Sequence, residues 1–220
     1  MCFSTSASFG AGAVLSIIGI LSLKKVKHVN QILFASIPLI FAVQQISEGV
    51  LWMTLKHPEF EFTQKIATYV FLFFAQILWP IWVPVSIFML KKDSGHKIIL
   101  KSLVIIGVLT SAYLSYALLL YPVHAEVVSY HIVYVQEYPL SSLYYIAVLY
   151  VLATIAPPFF SGIKGMWILG STILLSCIIT MLFYQNYLVS IWCFFASIIS
   201  ISVYLIINNM TKRNGQLQNL

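Results

Sequence analysis

Charge is what this sequence has least of. Only 8% of its 220 residues are Asp, Glu, Lys or Arg, against 60% that are apolar, where a soluble domain carries about 25% charged residues. That shortage excludes an ordinary water-soluble domain, and a mean hydropathy of +0.94 agrees. Cysteine is scarce as well. Cys2, Cys177 and Cys193 form no C-x-x-C pair, so no disulfide framework is implied, and Cys177 and Cys193 read as small core packers whose similar depth would let them meet. All five histidines (His28, His57, His96, His124 and His131) fall in connections and the one aspartate is Asp93. A membrane zinc hydrolase needs intramembrane His and Asp ligands, so that class is disfavoured. A retinal protein needs a lysine in its last helix, and the last apolar run has none. Internal repeats and low-complexity tracts are also missing.

Long apolar runs are what the sequence does have. Seven can be read, at about 3–23, 31–55, 64–90, 97–121, 140–160, 164–184 and 187–207, each near the ~20 residues that cross a bilayer as a helix. They consume most of the chain, so residues 1–220 are expected to form one all-α polytopic bundle of seven transmembrane helices, ending in a polar tail, 208–220. The net charge of +6 would suggest nucleic acid in a soluble protein. Here its distribution matters more. Lys24, Lys25, Lys27, Lys91, Lys92, Lys97, Lys101, Lys164, Lys212 and Arg213 occupy alternate connections and the tail, while the other set holds only Lys56 and Lys65. The positive-inside rule then gives an outside N-terminus and a cytoplasmic C-terminus. The partner implied is the lipid bilayer, with basic loops on anionic headgroups, and not nucleic acid. The first run has its lysines after it rather than before, so it is expected to stay as a helix.

Connections are short except for 122–139, "PVHAEVVSYHIVYVQEYP". Its β-branched and aromatic residues between Pro122 and Pro139 favour extended backbone, expected over the outer mouth of the bundle with His131 turned toward the start of the first helix. Pro80 lacks an N–H, which releases the carbonyl of Gln76 and predicts a kink in the third run.

Against this apolar background, "VQQISEGVLW" (Val43–Trp52) stands out. Glu48 lies about seven residues, or ~10 Å, below the expected outer boundary. A charge at mid-membrane costs roughly 2.5–3.5 kcal/mol on insertion scales, so such a group faces the bundle or water and finds partners. Gln44 and Gln45 share its face at i, i+4 and i, i+3 spacing. Ser4 and Ser8 of the first helix, Gln76 and Trp79 of the third, and Trp52 belong to the same outer layer, with Trp82 beyond them. His131 and Tyr134 of the long loop would lie above. These residues are the candidate ligand-binding set, for a small molecule or ion arriving from the outer side. The plainer reading is that the serines and glutamines only tie helices together. His57, His124 and His131 could form an outer metal site, although "HAEVVSYH" matches no standard zinc spacing.

The start "MCFSTSAS" followed by "QQISEGVLW" resembles a family of uncharacterised bacterial seven-helix membrane proteins, a domain of unknown function whose members begin MCFS-x-x-AS and carry a Q-x-x-E-G-x-x-W-like stretch, often with a His before the Gln, where this chain has Gln44. "HIVY", His131 to Tyr134, belongs to the same resemblance. It implies a bacterial cytoplasmic membrane location, and no activity or cofactor. If Met1 is removed, Cys2 would present a thiol beside an amine, a nucleophile or metal ligand. Three classes stay open: a binding or transport protein, a membrane-embedded enzyme using Cys2, Glu48 and His131, and a structural assembly factor.

Overall fold

The computed structural model describes residues 4–91, 95–128, 131–138, 140–183, 195 and 199–212. The chain is almost wholly helical. Its helices are α1 (Thr5–Lys24), α2 (Ile32–Ala35), α3 (Ile37–Thr54), α4 (Glu61–Leu72), α5 (Trp79–Leu90), α6 (Lys97–Leu120), α7 (Leu140–Phe160) and α8 (Met166–Phe183), with strands β1 (Val123–Val128) and β2 (His131–Gln136) between α6 and α7. Residues 199–212 are also helical. Five stretches are long and apolar enough to cross a membrane: Thr5–Lys24, Val29–Thr54, Pro58–Leu90, Lys97–Leu120 and Met166–Phe183. Tyr144–Phe160 is apolar but shorter. The protein is therefore an α-helical membrane protein with at least these five candidate spans. Of the seventh expected run, 187–194 and 196–198 lie outside the described residues, as does Cys193, so its pairing with the buried Cys177 does too.

Local sequence explains the helix ends. Ser4 caps α1, its Oγ accepting from the Ala7 N–H at 3.3 Å, and Lys24 sits in the last turn, where the carbonyl end of the dipole favours a cation. The second apolar run divides at Ser36, which puts Pro38 in the first turn of α3, where its missing N–H costs least. Small residues then set the seam between α1 and α3. The buried face of α1 is Ser8, Gly12, Leu15, Gly19 and Ser22, one stripe at helical spacing. A Cβ on Gly19 would stand 2.5 Å from Leu39 Cγ, one on Gly12 2.9 Å from Ile46 Cγ1, and one on Gly49 3.0 Å from the Phe9 ring. At Gly19 the Leu39 backbone nitrogen is also only 2.9 Å away, so glycine is needed there. Val14, Ile17 and Leu21 on the other faces of α1 are exposed, as suits lipid.

The main core lies between α2, α3, α5, α6, α7, α8 and the 199–212 helix, around Phe34, Ile87, Leu100, Met166, Val203 and Ile207. At the lysine-rich end, Lys91 Nζ donates to the Phe160 carbonyl at 3.0 Å and Thr211 Oγ1 to the Lys25 carbonyl at 2.7 Å. At the opposite end, β1 and β2 pair antiparallel, with Val123 opposite Gln136 and Val128 opposite His131. The extended stretch between Pro122 and Pro139 is thus a hairpin. Ile132, fully buried, packs with Leu51, Trp52 and Ala67 on the ends of α3 and α4. Burial of one such side chain is worth about 1.5–3 kcal/mol.

Candidate functional site

The third apolar run is interrupted where Pro80 demands it. Phe73–Leu78 winds as a π-helix between α4 and α5, and the Trp79 N–H reaches back five residues to the Phe74 carbonyl. In that register the next donor would be residue 80, and proline has none. The Ala75 carbonyl is left without a backbone partner, and the Tyr150 hydroxyl of α7 donates to it at 2.5 Å. Ser111 of α6 donates to the Ile77 carbonyl at 2.7 Å. Two neighbouring helices thus satisfy the freed backbone, as hydrocarbon surroundings require. The close approach of α6 depends on Gly107, where a Cβ would fall 1.9 Å from the Pro80 oxygen. π-bulges of this kind are frequent at functional sites.

This widened turn aims Gln76 and Trp79 into a chamber of about 260 Å³ between α3, α5, α6, α7, α8 and the 199–212 helix. Its walls are mostly apolar, with Phe41, Ile87, Ile173 and Val203 among them. Two side-chain amides, Gln44 and Gln76, line it. The Trp79 indole N–H donates to Gln44 Oε1 at 3.0 Å, and its ring stacks on Phe41 with centroids 4.0 Å apart. Gln76 also faces the hairpin. Its Nε2 donates to Gln136 Oε1 at 2.8 Å, and its Oε1 accepts from the Tyr138 hydroxyl at 3.2 Å. Burial, with Tyr69 nearby, pushes the Tyr138 pKa up to about 12, so Tyr138 stays a donor at any ordinary pH. Stacking of Tyr134 on Phe71, 4.5 Å and nearly parallel, fastens the same hairpin to α4.

Glu48 occupies a different place from this chamber. It is 0% exposed, on α3, and Gln45 Nε2 donates to its Oε2 at 3.3 Å. Gln45 and Ser8 are equally buried. Ser8 Oγ, Gln45 Oε1 and Trp52 Nε1 are buried polar atoms with no hydrogen-bond partner among the described residues. The contacts of Gly12 with Ile46 and of Gly49 with Phe9 put Ser8 level with this part of α3. The residues expected in one pocket are therefore divided: Gln44, Gln76 and Trp79 line the chamber, whereas Ser8, Gln45, Glu48 and Trp52 do not, Trp52 packing instead with Ile132 of the hairpin. Ser4, expected as a partner for α3, instead caps α1 and bonds Ser6 Oγ at 3.2 Å.

His131 opens β2 half-buried, and desolvation lowers its pKa from 6.5. His57 stays at the surface, 3.3 Å from Glu59, and His124 is exposed. Among the described residues no three His, Cys, Asp or Glu side chains gather where they could hold a metal. Cys2 lies outside the described residues. Sequence reasoning missed Tyr150, Tyr138, Gln136 and Phe41. A tyrosine in an apolar run or a glutamine in a loop carries no mark of its distant partner; the Pro80 rule expected a released carbonyl at Gln76, and the π-helical register moves it one residue back to Ala75.

A family model described as a family of unknown function matches residues 1–217, in agreement with the resemblance of the MCFS start. No curated protein and no solved structure matches the chain.

Proposed function

The chain belongs to that family, DUF6629, and from this premise we propose that it is a seven-span protein of the bacterial cytoplasmic membrane that binds, and in binding carries or senses, a small molecule inside its bundle. The N-terminus and the hairpin face outward and the 199–212 helix ends in the cytoplasm. Ten of the twelve basic residues in alternate connections and the tail support this orientation. The observation that carries the binding reading is the chamber itself. Dense packing leaves few voids in a protein interior, and structural helix ties need no empty volume. A chamber of about 260 Å³ bordered by two amides and an aromatic stack has the composition of a ligand pocket, if a small one. Glu48, with Gln45 and Ser8, forms a second polar locus on the outer side and supplies the ionisable group of the route.

Two measurements test this reading. Reporter fusions at Lys92 and at the C-terminus should read cytoplasmic and one at Glu59 external; a cytoplasmic Glu59 overturns the orientation. Mass spectrometry of an organic extract of protein purified from native membranes should recover a stoichiometric small molecule, absent from a variant whose chamber is narrowed by the larger side chain of Ile173→Trp, a buried wall position. Equal recovery from both, or none from either, overturns binding in the chamber.

A further inference from the structure

The chamber's chemistry specifies what enters it. Among the described residues of its wall none is charged, and five carry polar groups: Gln44, Gln76, Trp79, Tyr150 and Thr154. The Trp79 N–H is spent on Gln44, the Tyr150 hydroxyl proton on the Ala75 carbonyl, and the Thr154 hydroxyl proton on the Tyr150 carbonyl at 2.8 Å. Gln76 is different. A carboxamide offers two N–H donors and two acceptor sites, and its bonds to Gln136 and Tyr138 use one of each. One donor and one acceptor remain, on a side chain that lines the chamber. A charged ligand would give up hydration there and meet no counter-charge among the described wall residues. Shape adds a further limit. The wall runs from Trp79 to Ile87 along α5, about 12 Å at ~1.5 Å per residue. That length accommodates an extended hydrocarbon chain lying along α5.

We propose that the chamber binds a neutral, single-chain amphiphile, with one hydroxyl, carbonyl or carboxamide head at Gln76 and its hydrocarbon along α5 and α7. This rests on the reading that the bundle binds a small molecule, and it names the class.

The test uses the full chain in nanodiscs and 8-bromo-1-octanol, whose bromine quenches indole fluorescence. The Trp79 signal is the difference between the native protein and Trp79→Phe. Saturable quenching of that signal, reversed by 1-octanol, is expected. 8-Bromooctanoate at pH 8 should bind at least ten-fold more weakly. Gln76→Leu should weaken the alcohol at least five-fold and leave 1-bromooctane unchanged. Gln136→Ala breaks the same hairpin bond without touching the chamber and should retain native affinity. Non-saturable quenching, equal binding of the carboxylate, or equal loss in Gln76→Leu and Gln136→Ala overturns the proposal. A charged compound in the native extract, absent from Ile173→Trp, would overturn it too while leaving the binding reading intact. An empty extract together with no saturable quenching would sink both.

Discussion

Gly107→Ala adds one carbon at the tightest contact of the bundle. The new Cβ would lie 1.9 Å from the Pro80 carbonyl oxygen and 2.8 Å from its carbon. Ordinary C···O contacts are about 3.3–3.6 Å, so the overlap is roughly 1.4 Å. Both obstructing atoms are backbone, and no rotamer relieves them. Helix α6 must therefore shift from α5 by more than an ångström, which also stretches the 2.7 Å bond from Ser111 to Ile77. Overpacking of this kind costs about 1–3 kcal/mol, and the strained bond adds about 0.6 kcal/mol on the membrane scale. Against these stands a gain of up to ~1 kcal/mol for alanine over glycine in a helix. The net loss is about 1–3 kcal/mol. At 2–4 °C per kcal/mol for a chain of this size, Tm should fall by roughly 2–12 °C. Gly10→Ala is the control, because a Cβ there meets nothing within 4 Å; it should raise Tm slightly. Thermal unfolding in detergent, followed by near-UV circular dichroism, measures both. A Gly107→Ala protein as stable as Gly10→Ala would refute the contact and with it the account of the π-helical turn.

Tyr150→Phe keeps the ring and removes the donor to the Ala75 carbonyl, so it should cost about 1–2 kcal/mol; an unchanged Tm would mean that another donor serves that carbonyl. Glu48→Gln preserves an oxygen toward Gln45 and should unfold near the native temperature, whereas Glu48→Leu leaves the Gln45 N–H without its acceptor and should be clearly less stable; equal Tm values would show that the bond contributes nothing. His131 is held below its ordinary pKa of 6.5 by burial, so its neutral form is the one folding favours. Its contribution is fully present above pH 6.5 and is lost as pH falls toward the lowered value, because the unfolded chain takes up the proton first. Between pH 8 and 5 the native protein should lose more Tm than His131→Gln, and parallel curves would count against a desolvated His131.

How much of this was legible beforehand divides by range. The helices, the hairpin between Pro122 and Pro139 and the disruption ahead of Pro80 follow from the chemistry of neighbouring residues: hydrophobic runs, β-branched side chains and an amide without a proton. The lysine ledger is equally local, since it counts charges between runs. Spacing also made Gln45 a neighbour of Glu48, because i, i+3 neighbours are fixed by the helix itself. Which helix each side chain meets is a different matter. It depends on the rotation and depth of α3 against its neighbours, and those were set by Gly12, Gly19 and Gly49 against α1 and by the π-turn against α5. Tertiary packing therefore sent Gln44 to Trp79 and the chamber while leaving Glu48 with Gln45 outside it. It also chose Tyr150, seventy-five residues away, to satisfy the Ala75 carbonyl. The sequence by itself determined that a backbone acceptor would be orphaned near Pro80, because proline has no N–H wherever it sits. Only the folded bundle decided which donor answered it, because that donor is set by the approach of another helix and not by anything within reach along the chain.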